Sequence, residues 1–227
     1  MPMDALHSPI KPITMTLRTT ACSVLLVATT LAAHNSVPHL LPPLPVDLPA
    51  PVAMEGLFSK VVISDLLGTD ECVEIRFYTA QRTTDPNSAT VIAIGVDKDG
   101  KEIDKLLQTT PYRMYTGLDG NTITVDKVSA GKASKACKNY TNSGEKCFAA
   151  SFLKSELDDL LKYECAGMQL TLTTRGEHTV FLMTAVNIVD GKAVPAGDGD
   201  DYTRLSTDPC PPACGEDPRP SYYLEMK

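Results

Sequence analysis

Two stretches of the chain repeat one order of apolar and polar positions. In the first, Phe58, Val62, Ile63, Leu66 and Leu67 recur at helical spacing. Ser59 stands where an N-cap belongs, and Phe58 and Ile63 are placed to form a hydrophobic staple across it, which predicts a helix ending near Gly68. CVEIRFYTA then alternates. Val73, Ile75 and Phe77 fall on one face and Glu74, Arg76 and Tyr78 on the other, as a half-buried strand requires. RTTDPNS interrupts with Pro86 and Asn87, TVIAIGV resumes as a more continuously apolar strand, and DKDGK closes the unit as a turn.

The second stretch has the same sequence of features. Phe152, Leu157, Leu160 and Leu161 stand for Phe58, Ile63, Leu66 and Leu67, Cys165 for Cys72, and Met168 and Leu170 for Ile75 and Phe77. TVFLMTAVN matches TVIAIGVD with one extra residue, and VDGK matches KDGK. A fixed internal correspondence points to a duplicated supersecondary unit. The predicted fold is therefore α+β: two helix–β-hairpin repeats, residues 56–104 and 148–196, forming a shared antiparallel sheet with helices packed on one face. Between them, residues 105–147 read as a connecting hairpin about Asp119-Gly120 and a helix carrying Val128, Ala133, Ala136, Cys137 and Tyr140 on one side. Residues 197–227 read as an irregular polar tail with the motif CPPAC.

The N-terminal region is of another kind. Residues 1–33 form a leader in which Met15 to Ala33 carries Arg18, an uncharged apolar run from Ala21 to Ala33, and small residues at Ala32 and Ala33. That is the order of a secretory signal, and the run is short of the roughly 20 residues of a membrane span. Export is the expectation, to periplasm, cell envelope or exterior. The alternative is a membrane anchor formed by residues 21–33, the only route to a membrane that the sequence offers. Met1 and Met15 are both candidate starts. Residues 34–55 hold Pro38, Pro42, Pro43, Pro45, Pro49 and Pro51, a density that blocks helix and ladder hydrogen bonding and suits a spacer.

Composition narrows the chemistry. The 227 residues carry a formal net charge of −7, which opposes binding to nucleic acid. The densest basic run, with Lys132, Lys135 and Lys138, reads as a solvated helix face. Of the 4 histidines only His178 lies in the body of the chain, at a hairpin tip without a neighbouring nucleophile, so a His-based metal site or catalytic triad is not indicated. SAGKAS lacks the first glycine of a phosphate loop, where Asp126 stands, and has Ala133 after its lysine. DKDGKE has Gly95 and Leu106 where a calcium loop needs its first and last carboxylates. GDGDD reads as a solvated loop, and Asp158 with Asp159 as a charged helix face beside Lys154 and Lys162. No cofactor is called for.

With Cys22 in the leader, six cysteines remain. In an exported chain the expectation is disulfides, with Cys210, Cys214, Cys137 and Cys147 as the candidates. Zinc is the alternative, weakened by the wide separation of Cys137 and Cys147. Cys72 and Cys165 occupy matching places, either as small buried apolar side chains or joined to each other.

KASKACKNY, KCFAASF, SELDDLLKYECAGMQLTL and CPPAC together resemble an uncharacterised family of small bacterial proteins. Its pattern is a helix ending in Tyr, a short strand, a Leu-Leu helix followed by Cys, an alternating strand and a Cys-Pro-Pro-x-Cys tail. The resemblance covers about Val125 to Gly215, with CVEIRFY of the first repeat similar as well. It implies architecture and no activity. The functional expectation is a non-enzymatic binding or structural module whose partner the sequence does not name, a protein being the candidate, with its candidate binding face carried by Arg76 and Tyr78. The alternatives are an enzyme whose site forms no sequence motif and a cysteine-based metal module.

Overall fold

A computed structural model describes residues 54–103, 110–143, 148–176, 178–210 and Leu224. The chain is mixed α+β, and every strand pair among the described residues is antiparallel. The first unit runs β1 (Glu55–Ser59), α1 (Lys60–Leu67), β2 (Glu74–Gln81) and β3 (Ala89–Val96). The connecting region holds β4 (Tyr112–Asp119), β5 (Thr122–Val128) and α2 (Ala130–Asn142). The second unit runs β6 (Ala149–Leu153), α3 (Lys154–Leu161), β7 (Gly167–Arg175) and β8 (His178–Val189), followed by β9 (Lys192–Pro195), β10 (Thr203–Leu205) and β11 (Thr207–Cys210).

Local chemistry sets the helix starts. Ser59 accepts a hydrogen bond from Val62 N, and Ser129 caps α2 by accepting from Lys132 N. At α3 a leucine, Leu153, occupies the cap position, and the Glu156 carboxylate reaches back to accept from its N–H at 3.0 Å. Between β8 and β9, Asp190 and Gly191 both take positive φ, 51° and 71°, which a tight two-residue hairpin turn demands.

The strands form two sheets where the sequence predicts one. Sheet I has the order β1-β7-β8-β10, with β9 also on β8; sheet II has the order β11-β6-β2-β3-β4-β5. The cause is a pair of short strands: β1, which the periodicity absorbs into the approach to its helix, and β6, which lies in KCFAASF, where only the family resemblance implies a short strand. Each goes to the sheet that its own unit does not otherwise build. β1 pairs with β7 of the second unit, Phe58 opposite Met168; β6 pairs with β2 of the first, Phe152 opposite Ile75. The tail is not wholly irregular either. β10 joins β8 in sheet I and β11 joins β6 in sheet II, with Ser206 between them exchanging hydrogen bonds with the Phe181 backbone.

One core lies between the sheets. It contains Phe58, Ile75, Phe77, Val91, Phe152, Met168, Leu170, Phe181 and Met183, with Ile63, Leu66, Leu157 and Leu160 from the two short helices. Phe77 makes tilted or edge contacts with both Phe58 and Phe152, at centroid distances of 5.6 and 5.7 Å. A second core lies on the other side of sheet II. There Ala133, Ala136 and Cys137 of α2 join Tyr78, Ala80, Ile92 and Ile94.

Candidate functional site

Arg76 and Tyr78 do not form an open face. Their residues are 3% and 0% exposed, because β2 is buried on both sides: Ile75 and Phe77 face the first core, while Tyr78 lies in the second with α2. The alternation that suggested a half-buried strand is present, but its polar side is covered as well.

What burial creates is a polar cluster. Arg76 Nη2 lies 3.2 Å from Glu74 Oε1 and Nη1 lies 3.9 Å from Glu102 Oε1. The Tyr112 hydroxyl donates to Glu102 Oε2 at 2.6 Å, and Tyr78 donates to Oε1 of the same carboxylate. Ser151, on β6, donates to Glu74 at 3.1 Å. Glu102 reaches this place through the DKDGK turn. The Asp97 carboxylate accepts from the N–H groups of Asp99 and Lys101, and the returning chain sets Glu102 against Val96 at the end of β3. The cluster thus ties together β2, β4, β6 and the turn after β3.

Two carboxylates around one guanidinium compensate a charge that burial alone would penalise heavily. Burial opposes ionisation of Arg76, but Tyr78, Glu102 and Glu74 outweigh it and its pKa is raised. Burial, then the Glu102 charge, pushes the Tyr78 phenol well above its ordinary value. Both tyrosine hydroxyls already donate to a carboxylate, so this arrangement holds strands in place. The alternating pattern announces Glu74, whereas Glu102 and Tyr112 carry no sequence signal because their meeting depends on the fold.

The matching face of the second unit is different. With Met168 and Leu170 in the places of Ile75 and Phe77, Gln169 and Thr171 stand where Arg76 and Tyr78 stand. Both are half-buried, on the side of sheet I away from the shared core. The strand register aligns Glu55, Thr171, Leu182 and Leu205 in one row across the sheet, and Leu57, Gln169, Thr184 and Thr203 in the next. Glu55 and Leu205 are exposed, and Thr171, Leu182, Gln169, Thr184 and Thr203 are half-buried. No described helix packs on these rows as α2 does on sheet II.

One end of that face is occupied. The β4–β5 hairpin carries a bulge between Tyr115 and Gly117, and its far half lies against sheet I. At Gly167 the hairpin comes close enough that a side chain there would meet Ile123 Cδ1 at 2.8 Å, besides the Phe58 carbonyl of the neighbouring strand. At the hairpin tip, Asn121 Oδ1 accepts from Gly191 N at 3.0 Å. Leu57 and Val186, beside Gly167 on this side, are correspondingly closed to solvent at 3% and 0%.

The other candidate residues are dispersed. Cys72 and Cys165 are both free thiols, so they are not joined to each other, and Cys137 is buried against sheet II. No disulfide links these three described cysteines. Cys147 and Cys214 lie outside the described residues, and of Cys210 only the backbone, at the end of β11, is described. His178 is exposed at the start of β8. Among the described residues no group of three His, Cys, Asp or Glu side chains is placed to hold a metal ion, and no helix is long and apolar enough to cross a membrane. Comparison with protein-family models, with curated proteins and with solved structures finds no match.

Proposed function

We propose that the chain is an exported, non-enzymatic binding module that recognises a protein partner through the outer face of sheet I. The observation that carries this reading is the unequal treatment of two matching faces. Arg76, Tyr78 and Ala80 of β2 are sealed, with α2 packed over Tyr78 and Ala80, whereas Gln169, Thr171 and Thr173 of β7 remain half-open. A broad sheet face of threonine, glutamine and leucine suits a macromolecular surface better than a small ligand, which favours a concave site. The buried Arg-Glu-Tyr cluster is the structural counterpart, stiffening the sheet behind it. The two units descend from one duplicated strand-helix-hairpin element, a reading supported by their common element order and by the equivalence of the Phe58–Met168 and Phe152–Ile75 pairs. Export rests on the signal-like segment Met15 to Ala33.

Site-specific photo-crosslinking in the producing cell tests the reading. A photoreactive residue at Thr171 or Thr184 is expected to give one discrete protein adduct, and the same residue at the exposed positions Asp158 or Asp159 of α3 none. Adducts from all four positions alike, or from none, overturn the proposed face. The N-terminus of the released protein, read by mass spectrometry, tests export: an intact leader in a cytoplasmic product overturns it.

A further inference from the structure

We infer that the two units are obligate partners, interlocked by reciprocal strand exchange, so that the chain persists as one assembly after the connection between α2 and β6 is cut. The inference is independent of what the outer face binds.

Three sets of contacts carry it, and each has a counterpart in the other direction. In the ladders, β1 of the first unit is hydrogen-bonded to β7 of the second, and β6 of the second to β2 of the first. At the helix starts, Lys60 N donates to Ala166 O at 3.2 Å, and Lys154 N to Val73 O at 2.8 Å. In the side chains, Lys60 Nζ donates to Tyr163 O and Lys154 Nζ to Leu67 O, each at 2.8 Å. Among the described residues β1 has no strand neighbour within its own unit, and β7 is its partner in the sheet order. Removing the second unit would therefore strand five residues of backbone and expose Phe58, Ile75, Phe77, Val91 and Ala93 together. That is a contiguous apolar surface of the kind a separately stable module does not present to water. Phe77 illustrates the dependence, since it packs on Phe58 from its own unit and Phe152 from the other.

The test uses the whole protein with a protease site inserted between Ser143 and Phe148. After cleavage the two pieces should co-elute at the volume of the uncut protein and melt in a single transition. That transition should shift down on about tenfold dilution, while the uncut protein's should not, because folding of the pieces has become an association. Separation of the pieces, each keeping its circular dichroism, overturns the inference. Should the inserted site prevent folding, hydrogen exchange on the unmodified protein decides the matter. Amides of β1, β2, β6 and β7 are expected to open in one step, and earlier release of β6 and β7 as a group overturns it.

Discussion

Lys154, the first residue of α3, donates from its ammonium to the carbonyl of Leu67, the last residue of α1, at 2.8 Å. The bond spans 87 positions in sequence and satisfies a carbonyl that the end of α1 leaves without a helical partner. Replacement by methionine keeps the aliphatic stem and removes the donor. Lys154→Met should cost about 1–2 kcal/mol, as loss of a part-buried charged hydrogen bond does. Lys60→Met, which removes the matching bond to Tyr163 O, should cost a similar amount. Urea denaturation of both variants and the double variant checks this, and no change in midpoint for either would show that the bonds contribute nothing.

The Tyr78 phenol gives the protein a defined alkaline weakness. Burial first, and the Glu102 carboxylate second, hold it well above the ordinary 10.0. Below about pH 10 the folded and unfolded chains both retain this proton, and stability is independent of pH on its account. Above that, the unfolded chain releases the proton while the folded chain keeps it, so stability falls as pH rises. Tyr78→Phe should lower stability at neutral pH by about 1 kcal/mol through the lost bond to Glu102, and should flatten the fall above pH 10. A residual slope is expected from Tyr115, whose phenol is also raised, chiefly by burial. Melting temperatures measured from pH 8 to pH 11 decide the point, and parallel profiles for the two proteins would exclude Tyr78 as the source.

How much of this was legible in the sequence depended on whether neighbours along the chain or across the fold decide it. Ser59, the Ile63-Leu66-Leu67 stripe and the alternating Ile75 and Phe77 carry local signals, and α1 and β2 appear where those signals put them. The strand β1 carries no such signal, and β6 is implied only by the resemblance, as the short strand in KCFAASF. EGLFS and AASFL are five residues each and run directly into a helix, so Phe58 and Phe152 fit helical spacing as well as strand alternation. Their exchange between sheets is a choice of distant partner, which no local pattern encodes. Arg76 and Tyr78 mislead for a related reason. Polar alternation predicts a wet face, but α2 covers Tyr78, and Glu74 and Glu102 supply Arg76 with the countercharge that water would otherwise provide. The face left half-open belongs to the threonines of β7 and β8, residues too ordinary to be singled out in a sequence.

Glycine substitutions should separate three physical roles. Gly56 lies where β1 crosses β3, and a side chain there would stand 2.5 Å from Val91 Cβ. Gly56→Ala should cost about 1–3 kcal/mol by overpacking. Gly120 has nothing within 4 Å but a φ of +58°, so Gly120→Ala should cost about 1–2 kcal/mol through backbone strain alone. Gly131 has neither constraint on α2, and Gly131→Ala should stabilise by up to about 1 kcal/mol. Thermal melts of the three variants give the signs directly, and stabilisation by Gly56→Ala would refute the close approach of the two sheets at that point.

The two thiols at matching places should differ in reach rather than in intrinsic reactivity. Burial raises the pKa of both, so neither is an activated nucleophile near neutral pH, although an ammonium near each works the other way: Lys154 for Cys72 and Lys60 for Cys165. Cys72 is 5% exposed, and its sulfur lies 3.1 Å from where a side chain on Gly95 would begin. Cys165 is only half-buried, on the short segment between α3 and β7. An alkylating reagent added at about pH 8 should therefore modify Cys165 slowly in the folded protein and Cys72 only as fast as the chain unfolds. Peptide mapping against Cys72→Ser and Cys165→Ser variants assigns each adduct. Raising the reagent concentration should accelerate labelling of Cys165 and leave Cys72 at a plateau rate, because access to Cys72 is limited by opening of the β2–β3 end of the core. Labelling of Cys72 in proportion to reagent, at a rate equal to that of Cys165, would show that its burial does not protect it.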